Sequence, residues 1–140
     1  MKPTLIIVEP KAHRRLTLVA ALSDSFSVVP LSSIDGALRK IRAERPPIVL
    51  IGVGRRTGPS LRLCRQIKTD AGSVSCVGLM DWGPSLSSPE SAIQESCCDG
   101  VFIGVPIERE AVTFASELNK KNPTIHRTAR TKGLLQFLKR

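Results

Sequence analysis

The sequence predicts an α/β fold: a three-layer, doubly wound sandwich around a five-stranded parallel sheet in the order 2-1-3-4-5. Three observations lead there. Residues 5–8 (LIIV) and 48–51 (IVLI) are continuous apolar runs, as expected of strands buried on both faces. Stretches of helical periodicity lie between these and three further short apolar runs, so strand and helix alternate five times. The chain is 140 residues long and 41% apolar, which suits one packed core and leaves little room for a second.

The first strand is residues 5–8. The helix after it is expected to bury Leu16, Val19, Ala20 and Ser23. Residues 27–31 form a weaker strand pattern. In the second helix Ile34, Ala37, Leu38 and Ile41 follow i, i+3, i+4, i+7 spacing, with Ser33 placed as the N-cap. The third strand is 48–51, and the third helix opens at Ser60 and buries Leu63, Cys64 and Ile67. After a strand at 76–80, Ser88-Pro89-Glu90 reads as a cap followed by proline in the first helical position. The last unit is a strand at 101–105 and a helix carrying Ala111, Phe114, Ala115 and Leu118. Aromatic residues are 4% of the chain and Tyr is absent, so the core rests on Leu, Ile, Val and Ala. In such a sheet, sites form at the carboxyl ends of the strands, which directs attention to the loops after Val8, Ile51, Met80 and Val105.

The formal charge of +9 is unevenly spread. Residues 1–119 hold 14 Lys/Arg against 12 Asp/Glu, while residues 120–140 hold seven Lys/Arg and no acid. The domain, residues 1–119, is therefore nearly neutral. Residues 120–140 read as a basic linker broken by Pro123, with Leu134, Leu135 and Leu138 as the stripe of a short amphipathic helix. A solvated linker is one reading of this tail. Contact with nucleic acid or another anionic surface is the other. Aromatic residues for stacking on single strands are scarce there, and no helix-turn-helix pattern follows the domain. No apolar run approaches the roughly 18 residues of a membrane span, and the first residues lack a signal-peptide pattern. A cytoplasmic location is expected. Cys64, Cys76, Cys97 and Cys98 match neither a zinc spacing nor a disulfide framework, and are expected to be reduced thiols, mostly buried.

Two stretches carry a family likeness. One runs from Pro46-Pro47-Ile48-Val49-Leu50-Ile51-Gly52 through Ser60-Leu61-Arg62-Leu63-Cys64-Arg65-Gln66-Ile67-Lys68. The other is Cys98-Asp99-Gly100-Val101-Phe102, ending in Pro106-Ile107. With five strand–helix units at matching spacing, residues 4–119 resemble the receiver domain of bacterial two-component response regulators. The resemblance implies a flavodoxin-like (βα)5 sandwich. It also implies a nucleophilic aspartate ending the third strand, two acids after the first strand that hold Mg²⁺, a Thr or Ser after the fourth strand, and a Lys before the proline of the fifth loop. This chain has Gly52 at the aspartate position. Glu9 and Pro10 stand for the two acids, Met80 (or Asp81, if the register slips) for the hydroxyl residue, and Val105 (or Gly104) for the lysine. Four losses together leave no phosphoryl chemistry, and the chain reads as a pseudo-receiver: no catalytic residue, no metal site and no cofactor are expected.

What remains could act in several ways. The leading expectation is a non-enzymatic, phosphorylation-independent signalling module that binds another protein through its fourth helix, fifth strand and fifth helix, a face that would also suit homodimerisation. Trp82, Pro84, Leu86 and Phe102 are the candidate contact residues, with core-lining roles for Trp82 and Phe102 as the alternative. The third loop, Gly52-Val53-Gly54-Arg55-Arg56-Thr57-Gly58-Pro59-Ser60, is Gly-rich and opens a helix. Arg55 and Arg56 are therefore candidates to hold a phosphate or nucleotide, or else are two solvated arginines on a tight turn. The third alternative is nucleic-acid association through the tail.

Overall fold

The structure, a computed structural model, describes residues 1–70, 72–120 and 122–129. Its elements are β1 (Thr4–Val8), α1 (Ala12–Leu22), β2 (Ser27–Leu31), α2 (Ala37–Glu44), β3 (Ile48–Gly52), α3 (Gly58–Thr69), β4 (Cys76–Asp81), α4 (Pro89–Ser96), β5 (Gly100–Ile103), α5 (Glu108–Glu117) and β6 (Thr124–Arg127). All strand pairs are parallel, and the order is β2-β1-β3-β4-β5-β6. The expected 2-1-3-4-5 arrangement is present, and a sixth strand extends it.

Alternation along each strand divides the core between two layers. Ile6, Val8, Val49, Ile51, Val77, Leu79, Val101 and Ile103 face α2, α3 and α4. Leu5, Ile7, Leu50, Met80 and Phe102 face α1 and α5. The apolar runs of β1 and β3 are thus explained by helices on both sides. Fully burying such a side chain contributes about 1.5–3 kcal/mol. Helix α5 packs closely on β4 and β5. A Cβ at Gly78 would come 2.7 Å from Phe114, and one at Gly100 would come 2.8 Å from Leu118, so the two glycines allow the helix to seat.

Three local expectations need correction. Helix α1 buries Leu18, Ala21 and Leu22, whereas Leu16 is 66% exposed. The stripe that continues into the buried Phe26 is the one that meets the sheet. Helix α2 begins at Ala37, not beside Ser33. The Ser33 hydroxyl accepts from the Asp35 N–H (3.1 Å), and Gly36 at φ +80° turns the chain before the helix starts. Ser88 does cap α4, accepting from Ser91 N at 3.1 Å.

The third correction concerns residues 122–129, part of the 120–140 stretch read as linker. Thr124–Arg127 pairs in parallel with Gly100–Ile103 and makes β6 the sheet edge. Glu110, in the first turn of α5, fastens it. Its carboxylate accepts from the Ile107 N–H (3.0 Å), the Thr128 hydroxyl (2.9 Å) and the Ala129 N–H (2.8 Å). On the same side His126 packs edge-on to Phe114 (5.5 Å) and lies 3.0 Å from Glu117. The amphipathic stripe proposed at Leu134, Leu135 and Leu138 falls outside the described residues. No helix among the described residues is long and apolar enough to cross a membrane.

Candidate functional site

The strands end together at one edge, and the parallel register fixes what meets there. Val8 is opposite Ile51, so the next residues, Glu9 and Gly52, are neighbours across the sheet. Glu9 is only 2% exposed. Its N–H donates to Leu31 O (3.0 Å), and its Oε2 accepts from Lys11 N (3.0 Å). Arg15 donates to the carbonyls of Glu9 (2.7 Å) and Pro10 (3.3 Å), which tightens the turn into α1. These contacts lay the Glu9 carboxyl over Gly52. A Cβ at residue 52 would stand 2.1 Å from Oε1 and 2.6 Å from Cδ. Oε1 itself has no hydrogen-bond partner among the described residues.

The neighbouring strand ends are committed to structure. Gly52 O accepts from the buried Ser60 hydroxyl (2.8 Å), which ties the first turn of α3 to β3. Asp81, ending β4, is buried. Its Oδ1 and Oδ2 accept from Ser85 N (2.7 Å) and Leu86 N (2.9 Å), folding the loop back on itself. Gly104, at φ +103°, takes the chain away from β5. Val105 beyond it is 50% exposed and carries no charge. A hard divalent cation needs several oxygen ligands. This edge offers one free carboxyl oxygen beside a proline and a glycine, so the donor set does not fit a magnesium ion. No group of three or more His, Cys, Asp or Glu able to hold a metal occurs among the described residues.

In front of Glu9 lies a cavity of about 350 Å³ that also reaches Lys11, Arg14, Gly52, Arg55, Arg56 and Ser60. It brings Arg55 and Arg56 to the first loop, 40 residues away and more in sequence. Lys11 and Arg14 were missed by the sequence reading. Their signal was available, since Lys11 immediately precedes α1, whose first turn has no acid.

The four candidate partner residues do not share a surface. Trp82 is 7% exposed and packs on the α1/α5 side, its ring 5.6 Å from the Arg14 guanidinium. Phe102 is buried against Phe114, ring centroids 5.6 Å apart. Leu86 is half-buried against the opposite layer, and only Pro84 is exposed. Apolar side chains exposed to water are few among the described residues, and Trp82 and Phe102 are not among them. The expected edge strand is also displaced, because β6 covers the open side of β5.

Perturbed thiols sit elsewhere, behind α3. Cys64 and Cys98 are both buried. The neighbouring Cys64 thiol lowers the Cys98 pKa to about 7 against the opposing effect of burial, and the same contact raises Cys64. Cys76 is half-buried and Cys97 exposed.

No family model matches this chain, and no curated protein matches it in sequence. Solved structures do match in shape. The NarL signal receiver domain from Mycobacterium tuberculosis aligns with a TM-score of 0.72 at 18% identity, covering 83% of this chain and 94% of that one. The chemotaxis response regulator CheY4 of Vibrio cholerae aligns at 0.71 and 13%, covering 84% and 99%. The isolated receiver domain of RcsB from Salmonella enterica serovar Typhimurium aligns at 0.68 and 12%, covering 89% and 94%. The fold is that of a response-regulator receiver domain. Glu9, Pro10, Gly52, Met80, Asp81, Gly104 and Val105 all lie at the carboxyl edge of this receiver fold, where the sequence resemblance put the missing phosphorylation site.

Proposed function

We propose that this receiver-fold chain is a signalling module that works without phosphoryl transfer, by contact with a protein partner. One observation carries the reading. The space into which a side chain at residue 52 would grow is taken by the Glu9 carboxyl, 2.1 Å from where its Cβ would be. An aspartyl nucleophile is therefore absent, and its place is filled. The buried Asp81 offers no substitute, since both of its oxygens accept backbone N–H groups.

The partner surface lies on the side of α4 and α5, with β6 in the edge position. Val105, 50% exposed, and Ile107, 40% exposed, flank the start of α5 and supply its apolar contacts. Apolar groups ringed by polar ones at such a loop are suited to docking.

The test has two arms. Acetyl phosphate or beryllofluoride with Mg²⁺ is expected to change neither the intact mass nor the melting temperature. A covalent phosphate on any aspartate would overturn the reading. A partner found by co-purification is expected to be lost on Val105→Glu with Ile107→Glu, and retained on Leu16→Glu, which charges an exposed site on α1. Equal loss with both variants would remove the assignment of the surface.

A further inference from the structure

We infer that the cavity at the carboxyl edge binds a nucleotide, with its phosphate on Arg55, Arg56 and the start of α3 and its base donating an N–H to Glu9. The charge pattern comes first. Lys11, Arg14, Arg55 and Arg56 line the cavity, and none of the four forms an ion pair among the described residues. Helices α1 and α3 both begin here. Neither N-cap, Lys11 or Thr57, makes a side-chain cap, and neither first turn holds an acid. The positive ends of two helix dipoles therefore add to the four cations.

A bare anion does not satisfy the site, because Glu9 is in it. Glu9 lines the same cavity; its Oε1 lies buried over Gly52, has no donor among the described residues, and meets a ligand once the flexible carboxyl turns outward. A carboxylate only accepts, so that oxygen calls for an N–H or O–H. Phosphate or sulfate alone would set its own oxygens against it. The ligand thus needs an anionic end and a donor end held apart by a body that packs on Pro10, Ile34 and Pro59. A volume of about 350 Å³ falls within the range of pockets that enclose small organic ligands.

Nucleotides have this construction. Among the purines, guanine presents two adjacent N–H donors to a carboxylate. Adenine places an acceptor beside its amino group, which would face Glu9 unfavourably. A guanine nucleotide is therefore expected to bind more tightly than an adenine nucleotide.

This inference is independent of the partner reading, and its failure would leave the phosphodonor result untouched. The test is titration of the full chain with GMP, AMP, guanosine and inorganic phosphate up to about 5 mM, followed by thermal shift and calorimetry. GMP is expected to bind at least about tenfold more tightly than guanosine or phosphate. Arg55→Ala with Arg56→Ala is expected to weaken GMP by about tenfold or more. Glu9→Gln is expected to abolish the preference for GMP over AMP while leaving the unliganded melting temperature near wild type. Trp82 emission gives a second readout, because Arg14 joins the cavity to the indole ring. Absence of GMP binding, equal binding of phosphate alone, or indifference to the arginine pair would each overturn the assignment.

Discussion

Adding one methyl group at residue 52 tests the position of Glu9 directly. In Gly52→Ala the new carbon would lie 2.1 Å from Oε1 and 2.6 Å from Cδ. Ordinary contact requires the carboxyl to withdraw by roughly 1 Å or more. Because the carboxyl is the far end of a flexible side chain, it moves rather than the backbone. Doing so breaks the 3.0 Å bond from Lys11 N. That hydrogen bond is worth about 0.5–1.5 kcal/mol net, and a displaced rotamer adds about 0.5 kcal/mol. Replacing glycine within a strand returns about 0.5 kcal/mol through lower chain entropy. The net expectation is a loss of about 1 kcal/mol. In a Glu9→Ala background the clash is gone and only the gain remains, so the same substitution stabilises by about 0.5 kcal/mol. A double-mutant cycle should thus show a coupling of about 1.5 kcal/mol. The four proteins can be compared by urea unfolding followed through Trp82, the only Trp and a buried one. Coupling within about 0.3 kcal/mol of zero, at constant m-value, would show that Glu9 does not lie over Gly52. Gly52→Asp, which adds a second carboxylate beside the first, is expected to cost more than Gly52→Ala.

Three further outcomes follow from the packing and titration. Gly78→Ala, whose Cβ would meet Phe114 at 2.7 Å, is expected to destabilise by about 1–3 kcal/mol in a thermal melt; a neutral result would mean that α5 can lift from the sheet. In the folded protein iodoacetamide is expected to label Cys97 before Cys98, because exposure outweighs the lowered pKa of the buried thiol; peptide mapping that finds Cys98 first would reverse that ranking. For Glu110, burial raises the pKa, but the N–H groups of Ile107 and Ala129 and the Thr128 hydroxyl lower it overall. Its stabilisation is therefore complete above the ordinary carboxylate pKa of about 4.3 and is lost as pH falls below that. Protection of the amides of residues 124–127, taken relative to their intrinsic exchange rates, should fall under those acid conditions, and in Glu110→Gln at neutral pH. Unchanged protection would detach Glu110 from the anchoring of β6.

Most of the fold was legible because its strands are either unmixed apolar runs or bounded by helix signals. Residues 5–8 and 48–51 leave no polar face, and two helix layers are what such runs require. The face of α1 was misread because Leu16 is apolar yet exposed, and one such residue shifts an apparent stripe. Strand β6 was illegible for a different reason. Thr124-Ile125-His126-Arg127 is short, has Ile125 as its one apolar residue and is preceded by Pro123. Its pairing depends on β5 and on Glu110, neither of which is local to it. The site shows the same division. Loss of the carboxylate at Gly52 could be read directly from the residues, and so could the basic pair after it. That Glu9 fills the vacated space could not, since the contact joins residues 43 positions apart. Trp82 was ambiguous on sequence because a loop tryptophan serves equally as an anchor or a lid, and only packing decides.

The sixth strand also changes where the chain departs. A fold ending at α5 would release its C-terminus at the amino edge of the sheet, opposite the candidate site. Here β6 runs parallel to β5 and carries the backbone back across the sheet, so that Thr128 N reaches Ile103 O and Ala129 N reaches Glu110. Whatever follows residue 129 therefore sets out from the rim that also holds Glu9 and Gly52. A cargo or probe joined directly after residue 129 starts on the same side as the cavity, and a short tether suffices to bring the two together.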